Sequence, residues 1–320
     1  MDLDRMRDKC VRGQWSIDDL DWSLPPPTLP PAKEEAVVQA FVDMAGIERL
    51  AGALFAVQRD KTGDPILRDI FASFVVDEER HSEVAARLAR HYDVRHLRRY
   101  EESAALRRFR PHFLDLVRDS SPEIANAYIT AGELILDIAL LRSIDDYVGD
   151  EMSHQAMELI NRDESRHIAI DFHMTEFYTS DAHLAELERR PSQPWRVRAR
   201  MLSGLAKMMW HAKPFFQEVF LRPMDAMDPG GRRLREALKR IQLVLRKPTV
   251  ARAPFTKLMI AVQDLYNHPR LGPLLGPALL RVLGADDRAA RRLFTEGELA
   301  RSQAMTFEQL AEEALAAKLD

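Results

Sequence analysis

The sequence predicts an all-α protein whose centre is a bundle of four long helices, with additional helices after it. No segment of the 320 residues shows the sustained alternation of apolar and polar residues that is typical of a β-strand. The signature Asp-Glu-x-Arg-His occurs at 77–81 and again at 163–167, each time within a long helical pattern. The repeat indicates two related helical hairpins that face each other.

The N-terminal segment, residues 1–32, is predicted to be extended, with a short helix around residues 16–20 as the alternative for that stretch. It lacks a clean helical period, and the prolines from Pro25 to Pro31 favour an extended backbone. Trp15 and Trp22 lie in this segment among acidic residues. Two tryptophans in such a segment indicate that it packs on the bundle.

The first hairpin is predicted from helices over 34–60 and 65–92, with its turn at Gly63. Pro65 suits the first turn of the second helix, where the missing N–H costs no hydrogen bond. These two helices are expected to pack antiparallel.

The connector over 93–121 is predicted to contain a helical piece over 103–110, with breaks at Pro111 and Pro122. A long connector between two hairpins is typical of a bundle with one crossover connection.

The second hairpin is predicted to begin at Ser121, a good N-cap, followed by Pro122 in the first turn. The third helix runs to about Tyr147, and the fourth runs over 151–178. Gly149 marks the turn between them.

The bundle is predicted to span residues 33–180, and the segment from Arg189 to Pro194 is expected to be a boundary. Residues 195–320 are predicted to form a helical extension that packs on the bundle. This extension could cover a substrate entrance, form a homodimer contact, or do both. Its helices are predicted near 195–221, 230–246, 255–267, 272–283, 286–294 and 306–318.

The composition excludes several classes of protein. A net charge of −4 gives no reason to expect nucleic-acid binding. The single cysteine, Cys10, rules out a disulfide framework and makes a thiolate metal site implausible. No apolar run approaches about 18 residues and no export signal is present, so we expect no membrane span and a cytoplasmic location.

The repeated signature places a carboxylate and an imidazole on one helix face. Glu78 and His81 are three residues apart, as are Glu164 and His167, and residues at this spacing point the same way. A single Glu-x-x-His usually marks a solvated helix face. Two longer matches are much harder to obtain by chance.

A lone glutamate precedes each signature, and the turn of each hairpin lies halfway between that glutamate and the signature. The midpoint of Glu48 and Glu78 falls on Gly63, and the midpoint of Glu133 and Glu164 falls beside Gly149. In an antiparallel hairpin, each pair therefore lies at one height, about 22 Å from the turn. Asp43 is a weaker candidate than Glu48 for the first metal ligand, because the midpoint of Asp43 and Glu78 falls off the turn.

These residues resemble the ferritin-like di-iron carboxylate superfamily, which includes acyl-carrier-protein desaturases, ribonucleotide reductase small subunits and multicomponent monooxygenases. The resemblance covers about residues 34–178 and implies a ferritin-like four-helix bundle with additional C-terminal helices. It implies two iron sites and leaves open whether Glu78 and Glu164 bridge them. The implied ligands are Glu48, Glu78 and His81 for one ion, and Glu133, Glu164 and His167 for the other.

The resemblance also implies a crossed support of the histidines, in which Asp163 holds His81 and Asp77 holds His167. The alternative is that these two aspartates are surface residues. Arg80 and Arg166 are expected to face away from the metals and either to pair with acids or to be solvated.

Four neighbours one turn from the expected ligands leave alternatives open. Asp137 and Asp171 could hydrogen-bond ligands or gate protons, or could lie just off the core-facing stripe. Gly52 and Ala85 could leave a cavity for an organic substrate, or could reflect tight helix packing. Ala85 stands where the reductase subunits carry a radical-storing tyrosine, so that role is disfavoured. Ile160 stands where arylamine N-oxygenases carry a third histidine, which weakens N-oxygenation.

The function implied by the resemblance is that of a soluble non-haem di-iron oxygenase or oxidase. It would use an Fe/Fe or Mn/Fe pair and O2 as co-substrate to hydroxylate, desaturate or N-oxygenate a small or carrier-tethered organic substrate. Electrons would come from a donor protein or another reductant, and no catalytic residue beyond the metal ligands is predicted. A ferroxidase or metal-handling protein, a metal-stabilised interaction scaffold and a dinuclear hydrolase stay open as alternatives.

A basic stretch from Arg232 to Arg252 is the remaining feature. It could dock an acidic carrier protein, a phosphopantetheine or CoA group or an electron donor, or it could be a solvated helix face.

Overall fold

The computed structural model of the chain describes residues 1–96, 100–119, 121–189, 194–283 and 286–318. All regular secondary structure within these ranges is helical, which confirms the all-α prediction. The predicted boundary from Arg189 to Pro194 lies largely outside the described residues. The division into three domains stays a prediction.

The first hairpin consists of α2 (Pro31–Lys61) and α3 (Pro65–Tyr92), within a few residues of the predicted bounds. Asp64 caps α3 by accepting a hydrogen bond from Ile66 N at 2.8 Å, and Pro65 occupies the first turn. The two helices pack against each other along most of their length. The turn therefore forms from the residues that predicted it.

The second hairpin consists of α5 (Pro122–Ile135), α6 (Arg142–Val148) and α7 (Glu151–Tyr178). A π-helical segment, Leu136–Leu141, joins α5 to α6 without a break in the helix. Gly149 adopts a left-handed conformation with φ 73°, which ends α6. The π-helical segment was not predicted, since no glycine or proline marks it.

The connector contains one helix, α4 (Ala104–Asp119), and the predicted break at Pro111 is wrong. Pro111 lies inside this helix. Buried side chains on both sides of it, including Phe109 and Phe113, hold the helix in place. Packing therefore outweighs the hydrogen bond that a proline removes from a helix interior.

The N-terminal segment is not extended throughout, so that prediction is wrong for its first part. Residues Leu3–Arg12 form α1, capped by Asp2, whose side chain accepts from Arg5 N at 3.0 Å. Met6 and Cys10 are one turn apart and buried, and α1 packs on α3. Leu3, Met6 and Cys10 stand at positions i, i+3 and i+7, so the sequence does carry the helical period that the prediction missed.

The C-terminal region is helical. It comprises α8 (Asp181–Arg189), α9 (Trp195–Phe215), α10 (Arg222–Met227), α11 (Arg232–Leu245), α12 (Pro254–Tyr266), α13 (Gly272–Leu283), α14 (Asp287–Ala290), α15 (Glu296–Ala304) and α16 (Phe307–Ala316). A second π-helical segment, Phe216–Leu221, joins α9 to α10. α11 packs on α5 and the first π-helical segment, and α16 packs on α7.

The prediction of a helix over 286–294 is wrong in length, because α14 has only four residues. The next helix, α15, was missed, although its capping box was visible in the sequence. Thr295 and Glu298 form that box: the Thr295 side chain accepts from Glu298 N, and the Glu298 side chain accepts from Thr295 N.

One stretch, Pro122–Val148, is long and apolar enough to cross a membrane by length and composition alone. Its most apolar window has a mean hydropathy of 1.5, and 67% of that window is buried inside the molecule. A stretch of this length was not expected, because Glu133 and Asp137 interrupt its apolar run in the sequence. Its burial is that of a core helix, which is consistent with a soluble protein.

Candidate metal centre

The six residues expected as ligands lie together in the core. α2 contributes one, α3 two, α5 one and α7 two, and each is at most 2% exposed. Their nitrogen and oxygen atoms fall into two groups, and within each group the atoms lie within 4.8 Å of one another. The first group is Glu48, Glu78, His81 and Glu164, and the second is Glu78, Glu133, Glu164 and His167.

Two glutamates, Glu78 and Glu164, belong to both groups. Each is the glutamate at the second position of a repeated signature, so each hairpin contributes one shared residue. A carboxylate has two oxygens and can reach two cations. The arrangement therefore offers two adjacent cation positions with two carboxylates between them.

Both histidines present the same ring nitrogen to these carboxylates. His81 Nδ1 lies 3.0 Å from Glu164 Oε1, and His167 Nδ1 lies 2.9 Å from Glu164 Oε2. Nε2 of each ring points the other way, toward an aspartate. A histidine that donates through Nε2 keeps a lone pair on Nδ1, which is the form that binds a metal.

The aspartates contact the histidines in the crossed manner implied by the resemblance. His81 Nε2 lies 3.1 Å from Asp163 Oδ2, and His167 Nε2 lies 3.4 Å from Asp77 Oδ2. Both aspartates are fully buried, so the alternative that they are surface residues is wrong. Each hairpin thus orients a histidine of the other.

Asp77, Arg80, Asp163 and Arg166 form an aspartate–arginine cluster behind the two histidines. Arg166 donates to Asp163 Oδ1 at 2.7 Å and to Asp77 Oδ2 at 3.2 Å. Arg80 donates to Asp163 Oδ2 at 3.0 Å and also to Asp77. Of the two alternatives for these arginines, pairing with acids is therefore the correct one.

Two residues of the N-terminal segment also bind the aspartates of this cluster. These contacts were not predicted from the sequence. Trp15 donates from Nε1 to Asp163 Oδ2 at 2.6 Å, and its ring stacks on that of His81 with centroids 6.5 Å apart. Gln14 donates to Asp77 Oδ1 at 3.0 Å. The two tryptophans indicated packing on the bundle, but nothing in the sequence indicated which residue Trp15 would contact.

The carboxylic acids at the outer ends of the centre resist ionisation. Burial, together with the charges of Glu78 and Glu164, raises the pKa of Glu48 well above its ordinary value. Burial and the charge of Glu164 do the same for the pKa of Glu133. Several negative charges in a buried space repel one another unless cations compensate them.

Glu164 and the two histidines shift toward their charged forms, whereas burial raises the pKa of Glu78. Burial works against ionisation of Glu164, but contacts with His167 and His81 hold its pKa well below the ordinary value. Burial lowers the pKa of His81, but its contacts with Asp163 and Glu164 outweigh this effect and raise the pKa to about 9. Protons on the imidazoles thus supply part of the positive charge that this cluster of acids needs.

The hydrogen bonding within the centre leaves several oxygens free. Both carboxylate oxygens of Glu48 and one each of Glu78 and Glu133 have no hydrogen-bond partner among the described residues, although all three side chains are buried. The other oxygen of Glu78, Oε1, lies 3.3 Å from His167 Nδ1. An unpaired buried carboxylate oxygen costs about 1–3 kcal/mol or more. Converging free oxygens beside imidazole nitrogens are the donor set that a bound metal ion would satisfy.

Asp137 and Asp171 are buried but lie in neither group. Asp137 follows Glu133 by one turn, in the first π-helical segment, and forms an ion pair with Lys318 Nζ at 2.7 Å. Neither carboxylate oxygen of Asp171 has a hydrogen-bond partner in the part of the chain that the structure describes. Burial raises the pKa of Asp171 well above its ordinary value. Asp137 and Asp171 therefore both lie on the core-facing sides of their helices.

Asp43, the rival to Glu48, lies outside both groups. It accepts hydrogen bonds from Ser103 N at 2.6 Å and from Gln39 Nε2 at 3.2 Å, and thus ties α2 to the connector. Gly52 is closely packed, because an added Cβ would lie 3.3 Å from Glu78 Cβ. That contact favours tight helix packing over a cavity at this position.

The basic stretch after residue 231 is largely neutralised within the chain. Five of its cations form ion pairs with acids of neighbouring helices or of their own helix, which disfavours the docking role. Arg233 pairs with Asp146, Arg246 with Asp264 and Arg252 with Asp181. Lys239 pairs with Glu236 and Glu298, and Arg240 pairs with Glu236 and Glu313.

Fold and site together define an all-helical protein with a buried carboxylate–histidine cluster that could hold metal ions. No protein-family model, no curated protein and no solved structure matches the chain. The identity of the metal and the reaction must therefore be argued from the donor atoms.

Proposed function

We propose that this chain is a ferritin-like di-iron carboxylate protein that uses O2 to oxidise an organic substrate. The observation that carries the proposal is the pair of overlapping donor groups, which share Glu78 and Glu164 in the middle of four packed helices. Mononuclear sites have no need for shared carboxylates. Two ions at these positions account for all six side chains.

The donor atoms favour iron, as an Fe/Fe or a Mn/Fe pair. Four carboxylates balance the charge of two divalent ions, and each ion gains one imidazole nitrogen. Structural zinc favours thiolates or a closed tetrahedron of ligands. The single cysteine, Cys10, lies outside both groups.

The position of each residue indicates the role that it would have in metal binding. Glu48 and Glu133 would each bind one ion from the outside, whereas Glu78 and Glu164 would contact both. Asp163 and Asp77 would hold the imidazoles of His81 and His167 in the metal-binding tautomer. When bound, the metal pair supplies the capacity to bind and reduce O2, with electrons from a donor protein or another reductant.

The reaction would be hydroxylation, desaturation or N-oxygenation of a small or carrier-tethered substrate. Full burial of the centre supports this proposal, since a water-excluded site protects a reactive oxidant from side reactions. The close packing at Gly52 favours the alternative, a ferroxidase without an organic substrate, because that activity needs no cavity beside the metals.

The test is anaerobic loading with Fe(II), followed by mixing with O2 in a stopped-flow spectrometer. We expect about two irons per chain and an O2-dependent change in visible absorption in the wild type. Glu133→Gln and Glu48→Gln keep the side-chain shape and should lose one iron and the absorption change. Asp43→Asn, which alters a buried acid outside both groups, should retain both.

Two results distinguish the alternatives. Rapid turnover of many equivalents of Fe(II) would favour the ferroxidase, whereas a single oxidation followed by dependence on a reductant would favour an oxygenase. Failure to bind iron, or binding unchanged in both glutamine variants, would contradict the proposal.

A further inference from the structure

The helix α9 presents an apolar face to solvent. Trp195 is 73% exposed, Leu202 67% and Trp210 80%. These positions are seven and eight residues apart, so they lie on one side of the helix. Isolated apolar residues on a surface need no explanation, but two exposed tryptophans on one helix face do.

The opposite side of α9 is firmly packed, so the orientation of the helix is determined by its neighbours. Phe215 stacks on Phe109 of α4, with ring centroids 4.2 Å apart and planes 4° from parallel. His211 stacks on His112 of α4 with centroids 4.7 Å apart. Met208 is also buried on this side. The exposed face is thus the side that the fold leaves outward.

The helix that carries this face is itself positively charged. α9 has five Arg or Lys residues and no acidic residue, in a chain whose net charge is −4. One of the five, Arg200, pairs with Asp119 of α4 at 3.4 Å. Arg196 and Lys207 are exposed beside the apolar face. A cationic helix on an anionic protein favours an anionic partner.

We propose that α9 docks this protein onto an anionic phospholipid surface. An interfacial helix combines a face of Trp and Leu with flanking Lys and Arg, and it lies in the plane of the membrane. The two tryptophans lie about 22 Å apart along α9, one near each end of its apolar face, where indole rings suit the headgroup region. This inference does not depend on the metal centre.

The shape and charge of the surface favour lipid over the two other occupants. The apolar side chains protrude as a ridge on one helix, which a fluid lipid surface can accept but which a protein partner must match with a groove. A second copy of the chain would bring the positive charge of one α9 against that of the other.

The test is co-sedimentation with vesicles of phosphatidylcholine containing phosphatidylglycerol, beside vesicles of phosphatidylcholine alone. The protein should bind the anionic vesicles and should be released by high salt. Trp210→Ser should weaken binding about tenfold, because its apolar surface no longer enters the lipid. Lys207→Gln should weaken binding about fivefold.

Leu274→Ser is the matched control. Leu274 is 75% exposed on α13, a helix with a single basic residue, so its loss should leave vesicle binding unchanged. Circular dichroism would check that each variant is folded.

Three outcomes would overturn the proposal. These are no binding to either vesicle, equal binding to both, and equal loss of binding in Leu274→Ser. A dimer that Trp210→Ser dissociates in analytical ultracentrifugation, without vesicle binding by the wild type, would assign the face to a second copy instead.

Discussion

Asp163 Oδ2 lies 3.1 Å from Nε2 of His81, although the two residues belong to different hairpins. Asp77 makes the corresponding contact with His167 at 3.4 Å. Each signature thus supplies a glutamate to both cation positions and an aspartate to the histidine of the other signature. The two hairpins must therefore assemble before either histidine is oriented.

This crossed contact predicts a strong effect of Asp163 on metal binding. Asp163→Asn keeps the size of the side chain but replaces the carboxylate that accepts from His81. We expect metal affinity to fall about 10–100-fold, as is usual when the carboxylate behind a ligating histidine is lost. Titration with Co(II), followed by visible absorption, would measure the change.

Asp43→Asn serves as the control for that variant, because Asp43 is a buried acid that contacts Ser103 and Gln39 rather than a histidine. Its Co(II) affinity should equal that of the wild type. An Asp163→Asn affinity within twofold of the control would show that the contact does not orient His81.

A second prediction concerns Trp15, which donates to Asp163 at 2.6 Å. Trp15→Phe removes this donor and keeps most of the aromatic surface. We expect a loss of about 1–3 kcal/mol in the free energy of unfolding, since a buried charged acceptor loses a partner. Urea denaturation of the metal-free protein would measure it, and no change would mean that Arg80 and Arg166 suffice to hold Asp163.

The effect of metal on stability should depend on pH. In the metal-free protein, the pKa of His81 is raised from 6.5 to about 9, and the pKa of Glu133 is also raised. Within that window the folded state binds more protons than the unfolded chain, so stability falls as the pH rises. Metal binding displaces these protons and strengthens as the pH rises.

The measurable consequence is the increase in Tm caused by Mn(II), which should be larger at about pH 8 than at pH 6.5. Proton release on binding, measured by calorimetry in buffers of different ionisation enthalpy, should accompany it. An increase in Tm that is independent of pH would contradict protonation of these ligands in the metal-free state.

Glu48 should reduce the stability of the metal-free protein while it enables metal binding. Burial and the charges of Glu78 and Glu164 raise its pKa well above the ordinary value. Glu48→Gln removes the ionisable group, so we expect the metal-free variant to be about 1–2 kcal/mol more stable than the wild type. A less stable variant would mean that Glu48 makes a compensating interaction in the metal-free state.

The buried ion pair between Lys318 and Asp137 ties the chain just after α16 to the bundle. Lys318→Met leaves Asp137 without its cation and should cost about 3 kcal/mol of unfolding free energy. The double variant Lys318→Met/Asp137→Asn should recover part of that loss. Strictly additive losses in thermal or urea denaturation would show that the two side chains do not interact.

The central features of the site were predictable because they depend on local geometry. The three-residue spacing within each signature places Glu78 with His81, and the hairpin turns at Gly63 and Gly149 bring the upstream glutamates level with them. Helix periodicity and turn residues encode such relationships within a few dozen positions.

The remaining features depend on packing between distant segments. Trp15 and Asp163 are 148 positions apart. Lys318, which also donates to the carbonyl oxygen of Asn161, is 157 positions from that residue. No local pattern relates partners this far apart. Pro111 illustrates the converse, because a local signal for a helix break is overridden by the burial of Phe109 and Phe113.

The most direct test of the central claim is anomalous X-ray diffraction from crystals grown or soaked with Fe(II) under anaerobic conditions. We expect two iron peaks, each bounded by one imidazole and by oxygens of Glu78 and Glu164. Glu48 should bind one of them, and Glu133 the other. A single peak, or iron bound elsewhere, would contradict the dinuclear centre.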